Sequence, residues 1–157
     1  MRLMICLLLW SASAAYAEVS VTFVSPEKFS DVRDRQFASK PDKNPHLAAI
    51  RRYTEERATR YLPAGQSLSI RFTDIDLAGD HIPQTNPNLT DVRIVTSLYP
   101  PRMSFEYEIK DADGAVLKSD RVDLKDLAFD SSQTGFASDP LRFEKRMLDK
   151  WMRKNLR

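Results

Sequence analysis

From Arg102 to Lys110 the chain alternates so regularly that it reads as a β-strand, and a turn and a returning strand after it make a hairpin. Met103, Phe105, Tyr107 and Ile109 take every second place against Ser104, Glu106, Glu108 and Lys110. Successive side chains of a strand point to opposite faces, so the first set shares an apolar face and the second a wet one. Asp111-Ala112-Asp113-Gly114 closes the run as a hairpin turn, with Gly114 supplying the positive φ that an L side chain resists. Ala115 to Leu124 then returns as the partner strand. A ribbon with one apolar face is unstable alone and must be covered by other elements.

Two segments supply the cover. Asn44-Pro45 provides a helix cap followed by proline at the first helical position, and Leu47, Ile50, Thr54, Ala58, Tyr61 and Leu62 follow at near-helical spacing until Pro63-Ala64-Gly65 stops them. Asp139-Pro140 repeats the cap-then-proline start before Leu141, Phe143, Met147, Leu148, Trp151 and Met152, with basic residues crowding the C-terminal end where the helix dipole favours cations. The side of the first helix bearing Arg51, Arg52, Glu55, Glu56, Arg57 and Arg60 reads as a solvated face with i,i+4 pairs. Two further strands are expected. Val19, Val21 and Phe23 alternate ahead of Ser25-Pro26, and Leu68, Ile70 and Phe72 alternate from Gln66 onward. Residues 92–98 form a further strand or a buried loop, residues 125–129 a helical turn, residues 27–43 a loop with one short helical turn, and residues 78–91 and 130–138 loops. The resulting expectation is an α+β fold, an antiparallel sheet of about four or five strands with two main helices packed on one face.

The densest candidate for chemistry is Arg71-Phe72-Thr73-Asp74-Ile75-Asp76-Leu77-Ala78-Gly79-Asp80. After Thr73 the parity reverses, and Asp74 and Asp76 fall where apolar residues stood before, so either a bulge lies near Thr73 or the strand ends there. Asp74, Asp76, Gly79 and Asp80 match places in a calcium-binding loop, but Ala78 stands where a third side-chain ligand belongs and Thr85 where a bidentate glutamate would close the shell. As a hydrolytic pair, Asp74 and Asp76 would sit about 7 Å apart on one strand face. The favoured reading is of structural carboxylates at a sheet edge, with Gly79 permitting the exit turn. Tyr99-Pro100-Pro101-Arg102 is the other candidate: two prolines stiffen the approach to a strand and are flanked by an aromatic ring and a guanidinium. The candidate binding residues are therefore Asp74, Asp76, Asp80, Tyr99 and Arg102. His46 and His81 give no ligand spacing, no G-x-S-x-G elbow is present, and no catalytic residue, cofactor or metal ligand is assigned.

The N-terminus bounds the compartment. Arg2 precedes an apolar run, then Ser11 to Ala17, and Ala15-Tyr16-Ala17 forms a small-x-small cleavage site. Residues 1–17 are expected to be a secretory signal, too short to span a bilayer, with residues 18–157 a single domain. Cys6 is the one cysteine and would leave with the signal, so the exported chain carries no disulfide or thiolate site. Arg2, one of 24 basic residues, leaves too, and the remaining 23 face 22 acidic residues. That balance argues against a nucleic-acid partner, which would need a basic face.

Four blocks carry a resemblance across nearly the whole exported chain: VSVTFVSPEKFSDVRD, YLPAGQSLSIRFTDIDLAGD, DVRIVTSLYPPRMSFEYEIKD and DPLRFEKRMLDKWMR. In this order they resemble a family of small exported bacterial proteins known only as a numbered domain of unknown function. The resemblance implies a Gram-negative source and a periplasmic location, and it brings no catalytic residue, substrate or cofactor. The expected function is a non-enzymatic periplasmic binding or adaptor module for an envelope protein or component, working through a sheet edge, a sheet face or the YPPRM corner. The alternative is a metal- or small-ligand-binding protein centred on Asp74, Asp76 and Asp80.

Overall fold

A computed structural model describes residues 17–32, 43–81, 93–131 and 138–156. The expected signal segment up to residue 16, Thr85 and much of the three expected loops lie outside the described residues. Strands β1 (Glu18–Phe23), β2 (Ser67–Asp76), β3 (Arg102–Lys110) and β4 (Val116–Lys125) form one sheet in the order β1-β2-β3-β4. Helix α1 (Pro45–Ala58) lies between β1 and β2 in the chain, and helix α2 (Arg142–Asn155) closes it. This is the expected α+β fold. The sheet is mixed, however: β2, β3 and β4 run antiparallel while β1 lies parallel to β2. The cause is α1, whose place between two neighbouring strands makes a crossover, and a crossover returns the chain in its original direction.

The apolar face of β3 is buried as its alternation requires, while β4 adds only the half-buried Val122 and Leu124. Val21, Leu68, Ile70, Phe72, Met103, Phe105, Tyr107 and Ile109 form one core with Leu47, Ile50 and Ala58 of α1 and Met147, Leu148, Trp151 and Met152 of α2. Each large side chain withdrawn from water here contributes about 1.5–3 kcal/mol. Phe72 packs on Phe105 at 5.3 Å between ring centroids, and Trp151 meets Phe105 and Tyr107 edge-on at 4.8 and 5.0 Å. A satellite cluster of Ala78, Phe129 and Phe143 seals the end of the sheet where β2 leaves it.

The reversed parity in β2 is a bulge. Phe72 pairs with Phe105 and Asp74 with Ser104, which leaves Thr73 as the extra residue. The bulge lets Ile75 return to the core while Asp74 and Asp76 stay on the open face.

The first helix start holds as read and the second in modified form. Asn44 caps α1 by accepting from the amides of His46 and Leu47. In α2 the Asp139 carboxylate accepts from the Leu141 amide, but the helix begins only at Arg142, because Asp139 first forms a tight turn with its carbonyl accepting from the Arg142 amide. The basic side of α1 is less solvated than its spacing suggests. Arg57 reaches across to Asp149 of α2, and Arg51 lies over the Phe23 ring. Residues 93–98 add no strand; they contribute a single bridge, Ile94 to Asp80.

Candidate functional site

The bulge in β2 and the two prolines before β3 bring the sequence candidates to one corner of the sheet. A cleft of about 350 Å³ is lined by Ser30, Asp31, Asp76, Gly79, Asp80, Leu98, Tyr99, Pro100, Arg102 and Lys125. Four of the five candidates, Asp76, Asp80, Tyr99 and Arg102, therefore share it. Asp74 stands beside it rather than in it, accepting from the Ser30 amide at 2.7 Å and from the Ser30 hydroxyl at 2.8 Å.

Gly79 organises the corner. Its φ is +83°, and a Cβ there would lie 2.5 Å from the Ile94 carbonyl oxygen. Only glycine allows both the conformation and the approach. Its amide donates to the Tyr99 carbonyl at 2.9 Å, and the next residue, Asp80, exchanges two backbone hydrogen bonds with Ile94. Arg93 then fastens the assembly, donating to the Gly79 carbonyl at 2.9 Å and pairing with Asp31. The Tyr-Pro-Pro-Arg corner is thus held from behind by backbone, with Tyr99 and Leu98 facing outward.

The carboxylates are already engaged. Arg102 donates to Asp76 through Nε at 2.8 Å and Nη2 at 2.5 Å, and Asp80 accepts from the neighbouring His81 amide at 2.7 Å. Among the described residues no group of three or more His, Cys, Asp or Glu side chains is placed to hold a metal ion. Asp74 is thus held by Ser30 and Asp76 by Arg102.

Behind the cleft lies a group that only folding makes visible. Glu144 of α2 is fully buried, accepts from the Ala78 amide through Oε1 at 2.7 Å, and leaves Oε2 without a hydrogen-bond partner. Burial pushes its pKa above the ordinary 4.5, against the Ala78 amide and the positive charges of Arg93 and Arg142, which pull it down. A sequence signal existed: Glu144 falls three residues after Leu141 and four before Leu148, on the apolar stripe of α2.

A second surface adjoins the corner. β4 is one of the two outer strands of the sheet, and its first six residues are exposed. The Arg121 amide donates to the Asp120 carboxylate at 2.8 Å, and so faces away from β3. Beneath the C-terminal half of β4, between it and α2, runs a groove of about 550 Å³ that includes Leu124, Lys125, Met147, Lys150, Trp151 and Lys154. Lys125 lines both the groove and the corner cleft. Sequence reading missed this site because its residues come from β4 and α2 and share no local pattern.

A family profile described as "Protein of unknown function (DUF3016)" matches residues 17–154. The chain belongs to this DUF3016 family. The match covers all four strands and nearly all of α2, and it agrees with the family resemblance of the sequence blocks. No curated protein matches the chain. Among solved structures, the PelC dodecamer from Paraburkholderia phytofirmans is similar at 12% identity and a TM-score of 0.41, over 90% of this chain and 92% of that one. A point variant of the same dodecamer aligns over the same shares at 13% identity and a TM-score of 0.38. Neither likeness bears on the function of this DUF3016 member. No helix among the described residues is long and apolar enough to cross a membrane.

Proposed function

We propose that this protein is a non-enzymatic binding module of the periplasm, which holds an extended segment of an envelope protein against the free edge of β4. The observation that carries the proposal is the edge itself. β4 spans ten residues, Val116–Lys125, and pairs on one side only among the described residues. An unpaired strand offers a row of amides and carbonyls that an extended partner satisfies by joining the sheet. Lys118, Asp120, Arg121, Asp123 and Lys125 place alternating charges along it, which discourages indiscriminate pairing and favours a partner of matching charge. The alternative, a metal or small ligand at Asp74, Asp76 and Asp80, has less support because these carboxylates are taken up by Ser30, Arg102 and the His81 amide.

The test is photo-cross-linking in the periplasm from a reactive residue at position 119, followed by mass spectrometry. The expected result is one recurrent envelope protein, captured by the parent and lost in Arg121→Pro. That substitution removes an outward-facing amide without removing a bond to β3, so the sheet is retained, as circular dichroism should verify. Capture that is unchanged by Arg121→Pro, or no capture above that of an unrelated exported control, overturns the reading.

A further inference from the structure

We infer that the groove between β4 and α2 receives an acidic stretch of the partner protein, with one apolar side chain seated on Leu124, Met147 and Trp151. The inference rests on the β4-edge reading and adds the partner's chemistry to it. A strand joined to the outer edge of β4 continues the sheet, so alternate side chains of that strand fall on the helix side, where the groove lies. The floor there is apolar: Met147 and Trp151 are buried in the core cluster, and Leu124 packs against it half-buried. Such a floor accepts one aliphatic or aromatic side chain, and the volume of about 550 Å³ leaves room for its neighbours.

The rim decides the sign. Lys125 at the end of β4 and Lys150 and Lys154 on α2 are exposed, and their ammonium groups form no ion pair or hydrogen bond among the described residues. Lys150 and Lys154 are one helical turn apart and project along the same side of α2. The remaining charges of the groove cancel, since Asp126 pairs with Arg146 at 2.9 Å. Three unpaired ammonium groups thus surround an apolar floor beside an open edge, in a chain whose overall charge is nearly balanced. The segment that fits this combination is acidic with a single apolar anchor; a basic one is repelled.

The position of Trp151 makes the groove directly readable. The sequence has two tryptophans, Trp10 and Trp151, and Trp10 lies in the expected signal, so the chain from residue 18 onward carries the groove residue as its reporter. We would titrate this chain with a panel of peptides as long as β4, made of Glu and Ser with one central Leu, Phe or Val, and with the same peptides bearing Lys for Glu. The expected result is a saturable change in Trp151 emission for acidic members, weakened by salt and weakened about tenfold or more by Lys150→Glu with Lys154→Glu. Both lysines are exposed, so the variant should melt as the parent does. No response from any acidic member, equal binding of the Lys peptides, or unchanged binding by the double variant overturns the inference. So does a concentration-dependent dimer in sedimentation that the double variant abolishes, because the groove would then serve a second copy. If the peptides fail while cross-links from position 119 persist, the groove assignment falls and the β4-edge reading stands.

Discussion

Glu144→Gln should make the protein more stable at neutral and alkaline pH and less sensitive to pH. The native carboxylate is fully buried, with Oε1 held by the Ala78 amide at 2.7 Å and Oε2 unsatisfied. Burial raises its folded pKa above the unfolded value near 4.5. The folded state therefore holds the proton more tightly than the unfolded state. Its contribution is fully present below pH 4.5 and is lost as pH rises through the folded pKa. Glutamine keeps the acceptor for Ala78 and never ionises, so the variant escapes that loss. A buried unsatisfied polar group costs about 1–3 kcal/mol, more when charged, and about 3 °C of Tm accompanies each kcal/mol in a domain of this size. The expected gain is thus several degrees above the titration window, shrinking to zero or reversing below it, where the amide leaves donors without acceptors. Glu144→Leu is the control. It also removes the charge, but it orphans the buried Ala78 amide and should gain less than glutamine at high pH and lose about 1–3 kcal/mol at low pH. Melts of the three proteins from pH 4 to pH 9 decide the matter. A parallel pH dependence for parent and Glu144→Gln would refute the argument that Glu144 is driven to hold its proton by burial.

Other perturbations probe the corner and the helix pair. Gly79→Ala should cost at least about 2 kcal/mol, because φ is +83° and the new Cβ meets the Ile94 carbonyl oxygen at 2.5 Å; Gly114→Ala, at the same φ but with open space, should cost only about 1 kcal/mol. Equal losses in urea unfolding would show that conformation alone, without the close approach, governs Gly79. Asp149 accepts from Arg57 at 2.6 Å and from the Tyr61 hydroxyl at 2.9 Å, and pairs with Arg153 at 2.6 Å. Burial raises its pKa, but these hydrogen bonds and charges outweigh burial and hold it below the ordinary 3.8. Its contribution is present above pH 3.8 and is lost as pH falls through the folded value, so Asp149→Asn should flatten the acid limb of the stability profile. Because Arg57 and Arg153 are partly in water, the cost at neutral pH should be about 1–2 kcal/mol rather than that of a fully buried pair.

The hairpin, the two helices and their buried faces were legible because each depends on a local period. Alternation selects Met103, Phe105, Tyr107 and Ile109 for burial in any sheet, and the stripe from Leu141 to Met152 is apolar wherever α2 packs. The bulge at Thr73 was readable as one of two outcomes, since a reversed parity demands either a bulge or a strand end. The candidate corner was legible in part. Asp76, Asp80, Tyr99 and Arg102 were singled out separately, in segments about twenty residues apart, and nothing in either segment says that they meet. Asp31 and Arg93, which fasten the corner, carried no signal because each is an ordinary loop charge until its partner arrives. The parallel placement of β1 was likewise hidden, since strand direction depends on where the crossover helix packs.

Sequence alone determined which faces are apolar, where helices begin, which glycines must turn the chain and which family the protein resembles, because those properties reside in neighbouring residues. Tertiary structure decided that Asp76 is spent on Arg102, that Glu144 is sealed behind Ala78, and that three lysines from β4 and α2, without ion-pair partners among the described residues, line one groove beside the edge of β4. Those are distances between residues far apart in the chain, and only the packing of the helices on the sheet fixes them.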